Sequence, residues 1–390
     1  MNRLVYAFLI LTVIFGGCKS FSRLQKAQIV SVYHLIEAKR FNEARGLVEE
    51  LVNDENTANW SRVWYSRGTL AHTAWREGAR ANDVRLQELY PNQLYVAFES
   101  FEKALQLEPG GWMERKVTPR YIQLANDFYT FGERHFRRGN FAEALRAFEH
   151  AQVLIEGSIL PPKTDTLLIY NAGMAAFESR NWERAIKQFS RLHNYGHSAG
   201  VTRLLFELYL AAGDTLAAEN TILEGIENFS NNEQLILALT EWHLDRGNPV
   251  AAMEILEEAI ADNPINPVFH NLKGFVFLER GNNSGAIASF SEVVSLTPDD
   301  LHAYIHIATG YYNIGVGIDE NARMLTQINQ VRLERERSAQ AYAQAIAWLD
   351  KVYERKDLNR DILQRLYQLY RLLRVSERAD SVQQRLGSHL

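Results

Sequence analysis

One feature constrains this chain more than any other: a motif returns at a nearly fixed interval. Gly139-Asn140 is followed by Ala144, Gly213-Asp214 by Ala218, Gly247-Asn248 by Ala252, and Gly281-Asn282 by Ala286. In each, the alanine stands five residues after the glycine. Ala185, Ala218, Ala252 and Ala286 are separated by 33, 34 and 34 residues. Such a period marks repeated supersecondary units that cannot bury their apolar faces alone and must stack on their neighbours.

Each position has a physical reason. A glycine closes a first helix, where a left-handed residue costs no Cβ clash. The Asn or Asp after it suits the turn and can cap a second helix. Four residues after the alanine stands a large apolar side chain, namely Phe148, Phe189, Ile222, Leu256 and Phe290. Three further come Ala151, Leu192, Gly225, Ala259 and Val293. Spacings of four and three place them on one helical face. Pro109, Pro264 and Pro298 should end the second helix of their units. Twelve residues before the alanine, Gly132, Gly173 and Gly274 should let two helix backbones approach closely. Phe206 and Thr240 hold that place in two units, which should therefore pack less tightly.

This helix-turn-helix unit resembles the tetratricopeptide repeat. Further copies centre on Ala44, Ala97, Ala345 and Ala379, and Trp64, Arg67, Gly68 and Ala71 look like the first helix of the Ala97 unit. The fold expected is all-α, a solenoid of about nine units over residues 27–386. Wider gaps between alanines put insertions near 76–93, 110–120, 157–165 and 315–340. Neither glycine nor proline occurs from Ile318 to Leu386, so residues 319–355 could form one long helix, either protruding as an arm or packed along the repeats. It would carry the charged run from Arg332 to Arg337.

The resemblance implies a concave face lined by first helices. Carried over by register, its residues are Asn126, Tyr129, Glu133 and Phe136; Tyr170, Met174 and Phe177; Arg203 and Glu207; Leu237 and Glu241; Asn271, Phe275 and Glu279; and His302, Tyr312 and Asn313. Aromatic anchors with a few polar groups suit peptide recognition. Repeats that clamp a terminal carboxylate use Lys and Asn there. Acids and aromatics stand in those places here, so a partner with apolar and basic segments fits better. Glu133, Glu207, Glu241 and Glu279 would steer it.

The amino terminus has a different design. Met1-Asn2-Arg3 is a short positive start, Leu4 to Phe15 is apolar, and Gly16-Gly17-Cys18 follows. These are the marks of a secretory signal. As a helix the apolar run would be about 18 Å long, short of the roughly 30 Å hydrocarbon core. Two small residues before a cysteine resemble the bacterial lipobox, although Phe15 replaces the more usual Leu. The resemblance implies a signal over 1–17, cleavage before Cys18, acylation of that residue, and an anchor and linker over 18–26. Cys18 is the only cysteine, so no disulfide within the chain can form. Lys19, Arg23 and Lys26 follow with no acid before Glu37. Cell-surface lipoproteins of some bacterial groups carry acids there, so the absence favours an outer membrane position facing the periplasm.

Little points to chemistry. Gly315-Val316-Gly317 has no third glycine and no strand before it, so it is not a phosphate loop. His302 and His306 stand four apart, a spacing that can hold a metal, but no third ligand is suggested. No cofactor and no catalytic residue is expected. The net charge of −5 is mild and argues against nucleic acid, which calls for a basic face. The reading is a non-catalytic scaffold or adaptor for other envelope proteins, joined to the membrane by its lipid. The alternative is a glycan or small-molecule binding lipoprotein, with Trp60, Trp64, Trp75 and Trp112 as stacking faces.

Overall fold

The computed structural model describes residues 23–161, 163–230, 232–355 and 358–388. Every element among them is helical. In chain order these are α1 (Arg23–Glu37), α2 (Phe41–Asn53), α3 (Ser61–Ala81), α4 (Val84–Gln87), α5 (Gln93–Leu107), α6 (Gly111–Arg137), α7 (Phe141–Glu156), α8 (Thr166–Glu178), α9 (Trp182–Asn194) and α10 (Ala199–Ala211). There follow α11 (Thr215–Asn228), α12 (Glu233–Asp245), α13 (Pro249–Asp262), α14 (Pro267–Glu279), α15 (Asn283–Leu296), α16 (Leu301–Met324), α17 (Ile328–Tyr353), α18 (Arg360–Leu372) and α19 (Ser376–Ser388). The chain packs as two compact units, residues 1–188 and 189–390, divided within α9.

Apart from the single turn of α4, the helices alternate as first and second members of repeat pairs. Each second helix carries one key alanine. Ala44, Ala97, Ala144, Ala185, Ala218, Ala252, Ala286, Ala345 and Ala379 have no solvent exposure at all. A methyl fits each site, and any larger side chain would overfill it.

The turn five residues before the alanine keeps one conformation in eight of the nine repeats, the exception being Gln340 before Ala345, which lies within α17. Gly139, Gly213, Gly247 and Gly281 have φ between +67° and +80°. Lys39, Asn92, Arg180 and Arg374 hold the same place in four other repeats, with φ between +54° and +59°. Asp214, Asn248 and Asn282 then accept a hydrogen bond from the backbone N–H three residues on, capping the second helix.

Two of the glycines twelve residues before the alanine, Gly132 and Gly274, act differently from the expectation of close backbones. A Cβ at Gly132 would lie 2.7 Å from the ring of Phe148, and one at Gly274 would lie 2.5 Å from that of Phe290. Gly68 stands likewise against Phe101. At Gly132 and Gly274 an aromatic ring of the second helix takes the space, and at Gly68 the Ala97 carbonyl of the second helix also stands close, 3.1 Å from that Cβ position. In the units of Phe206 and Thr240, α10 on α11 and α12 on α13 pack less extensively than α14 on α15, as expected. Both residues are buried, and Ile222 and Leu256 replace the phenylalanine in register. Volume moves from one helix to the other, and the site stays closed.

Extra length at three of the first helices is helical. α3 has 21 residues, α6 has 27 and α16 has 24, against 13 in α8, α10, α12 and α14. Residues 319–355 are not one helix. α16 ends at Met324, three residues turn, and α17 begins at Ile328. The two extensions form an antiparallel arm that buries Ala322, Ser338 and Ala341, while Tyr342 donates to Asp319 at 3.1 Å near its base. A single straight helix would have left those small residues in water. The arm reading survives, built from a hairpin.

Candidate functional site

In the first unit, α6 and α8 present the expected strip. Asn126 is exposed, and Tyr129, Glu133 and Phe136 are half-buried, at the three- and four-residue spacings that share one helix face. Tyr170, Met174 and Phe177 are likewise half-buried along α8. The two helices are tied by Asn171, whose Nδ2 donates to the Tyr129 hydroxyl at 3.1 Å. Glu133, Phe136, Arg137, Phe148 and Asn171 line a small open pocket of about 100 Å³. Burial, with the Glu133 carboxylate second, pushes the Tyr129 hydroxyl pKa up, so it stays protonated. Arg137 lies 3.4 Å from Glu133 and offsets part of its charge.

The rings are held but not consumed by the core. Phe136 packs edge-on to Phe141 at 5.1 Å, Phe177 to Trp182 at 5.6 Å, and Tyr129 tilts over Phe148 at 5.8 Å. Each keeps part of its surface open. Such rings offer large contact area with few torsions to freeze.

In the second unit the carried-over residues divide. Glu241 and Glu279 are exposed, and Leu237 is half-buried. Arg203 and Glu207 pair with each other at 3.5 Å. Phe275 fills the space between helices, 5.4 Å from Phe290 and 4.8 Å from His306. Tyr312 packs on Tyr342, and Asn313 donates to Asn283 at 3.3 Å. Asn271 is half-buried, and its side-chain oxygen has no hydrogen-bond partner in the structure. His302 lies 3.9 Å from Asp361, whereas His306 stacks on Phe290. Burial first, then Arg365 and His302, pulls the His306 pKa down to about 4. These two histidines therefore face different surroundings. Among the described residues no three His, Cys, Asp or Glu groups are placed to share a metal.

Sequence register did not single out Asn171 or Arg137. Asn171 is a polar residue within the apolar run of α8, and that interruption was its signal. Two buried polar clusters lie elsewhere, and one of them places His193, which its position beside Gly196 suggests is a loop residue, inside α9. His72 meets Asp127 at 2.7 Å. His193 bridges Thr202 at 3.0 Å and Glu224 at 3.1 Å. Thr202 is fully buried, so that arrangement holds helices together and offers no accessible nucleophile. The tryptophans give little to the glycan alternative. Trp75 is buried. Trp64 donates to the Ala58 carbonyl at 2.7 Å, and Arg62 covers Trp112 at 4.7 Å. Cys18 lies outside the described residues.

Fold and site together define a helical-repeat protein. The tetratricopeptide repeat family model matches residues 243–300, the segment that carries α13, α14 and α15. Similar solved structures include the C-terminal part of a tetratricopeptide repeat-containing protein from Cytophaga hutchinsonii. It is 13% identical, with 66% of this chain and 93% of that one covered and a TM-score of 0.42. A tetratricopeptide repeat protein from Parabacteroides merdae is 15% identical over 68% and 99% of the two chains, at 0.31. YrrB, described as having an unusual peptide-binding site, is 15% identical over 52% and 95%, at 0.32. No curated protein matches the chain significantly.

Proposed function

We propose that the chain is a non-catalytic scaffold that holds another protein of the bacterial envelope, tethered by a lipid on Cys18. The observation that carries this reading is the strip on α6 and α8. Four half-open rings, Tyr129, Phe136, Tyr170 and Phe177, stand among Asn126, Glu133 and Asn171 on two rigid helices. A few aromatic anchors normally dominate such an interface, and neighbouring amides adapt to a partner's backbone. A tetratricopeptide repeat segment in the same chain fits this role. The anchor rests on the amino-terminal sequence alone. An acylated Cys18 would hold the protein at a membrane surface because each buried methylene contributes about 0.8 kcal/mol.

Two changes test the two halves separately. Cys18→Ala should move the protein out of the membrane fraction, and the native amino-terminal peptide should carry acyl mass on Cys18. An unmodified Cys18 in the mature protein would remove the anchor from the reading. Tyr129→Ala with Tyr170→Ala should deplete the main partner recovered by in-cell crosslinking. Undiminished recovery would move the interface off this strip.

A further inference from the structure

A second surface lies on the opposite members of the repeats, between α11 and α13. Ile236 and Leu239 of α12 and Ala259 of α13 form a buried floor, and Leu223, Ile226 and Ile255 rise at its sides. The cavity holds about 230 Å³. Leu223 is 43% exposed, and Leu216, seven residues earlier on the same face of α11, is 68% exposed. Open apolar side chains grouped beside a groove mark contact surfaces more than single scattered ones do.

The rim gives the groove its sign. Glu227, Glu258 and Asp262 border it, all exposed, and no cation among the described residues pairs with them. The surroundings extend the same field. From Arg203 to Lys273 the chain holds twelve carboxylates and three cations, of which Arg203 pairs with Glu207 and Lys273 with Glu257, although the whole chain carries only −5. Arg246 lies over the Trp242 ring at 5.0 Å. A partner that buries apolar side chains here must bring its flanking charges against these carboxylates. Acidic flanks would be repelled, and basic flanks would pair and speed association.

We propose that the α11–α13 groove binds an amphipathic, basic segment of a partner protein, with apolar side chains over Ile236 and Leu239 and cations against Glu227, Glu258 and Asp262. The inference rests on the scaffold reading and adds to it a second face, walled by the second helices α11 and α13 over a floor that α12 shares.

The test uses the full chain and a labelled amphipathic peptide of leucine and lysine at helical spacing, followed by fluorescence anisotropy. Two control peptides have glutamate for lysine, or the same composition scrambled. The leucine–lysine peptide should bind saturably and more weakly as salt rises. The glutamate peptide should not bind, and the scrambled one should bind roughly tenfold more weakly or worse. Glu227→Lys with Glu258→Lys should weaken binding by a similar factor, and Leu223→Ser should do so without any change of charge. The same charge reversal at the exposed Glu55 and Glu99, which belong to the first unit, should leave binding nearly unchanged, with circular dichroism confirming that every variant is folded. Equal binding of the scrambled peptide, equal loss from the reversal at Glu55 and Glu99, or no saturable binding would overturn the groove. So would self-association of the chain that occupies it. Each of those results leaves the crosslinking test of the α6–α8 strip standing.

Discussion

Gly274 shows how narrowly single positions are set. Phe290 fills the space where a Cβ would stand, at 2.5 Å, so Gly274→Ala forces the ring to shift. Overpacking of this kind costs about 1–3 kcal/mol. Phe290→Leu on top of it should recover part of the loss. A double-mutant cycle by chemical denaturation should therefore show clear coupling, and additive losses would refute the ring-in-notch account. Arg374 makes the opposite case. It sits at φ +59° in the turn where other repeats place glycine. A left-handed non-glycine residue costs roughly 1–2 kcal/mol, partly offset by the lower entropy of its unfolded chain. Arg374→Gly should raise stability by about 0.5–1 kcal/mol in the same measurement, and a loss would mean that the arginine side chain is making contacts that matter. These residues differ in legibility. The nine alanines were visible because a closed helix crossing accepts almost nothing else. The left-handed turns at Lys39, Arg180 and Arg374 were hidden, since the backbone kept its shape while the marker residue changed.

At the level of elements, hydrophobic spacing and breakers carried most of the information. α5, α13 and α15 end two residues before Pro109, Pro264 and Pro298. The break between α16 and α17 had no such signal. Residues 325–327 include neither glycine nor proline, and the turn is imposed by pairing, which buries Ala322, Ser338 and Ala341. Met324 and Ile328 at the tip are 85% and 84% exposed, so no other element covers it. The eleven extra residues of α16 relative to α14 extend it by about 16 Å. The arm supports itself. Excising residues 320–338 and closing with a short turn should leave the melting temperature within about 2–4 °C, the shift that ~1 kcal/mol produces in a unit of this size. Loss of cooperative unfolding would show instead that the arm holds the neighbouring repeats together.

For the whole molecule, the account joins a helical-repeat fold to one binding strip. Register predicted the strip by analogy, and the structure separates its members. Glu133 and Phe136 line an open pocket with Asn171, which donates to Tyr129, whereas Phe275 and Tyr312 are occupied with internal packing. Sequence could not separate them, because a half-buried aromatic reads alike whether its open edge faces solvent or a neighbouring helix. The most direct measurement places a photo-crosslinking amino acid at Phe136, and at Val153 on α7 as a control that is 58% exposed. Irradiation in the native cell should give a discrete protein adduct from position 136 and not from 153. No adduct at 136, or the same adducts from both positions, would contradict the claim that this strip holds a partner.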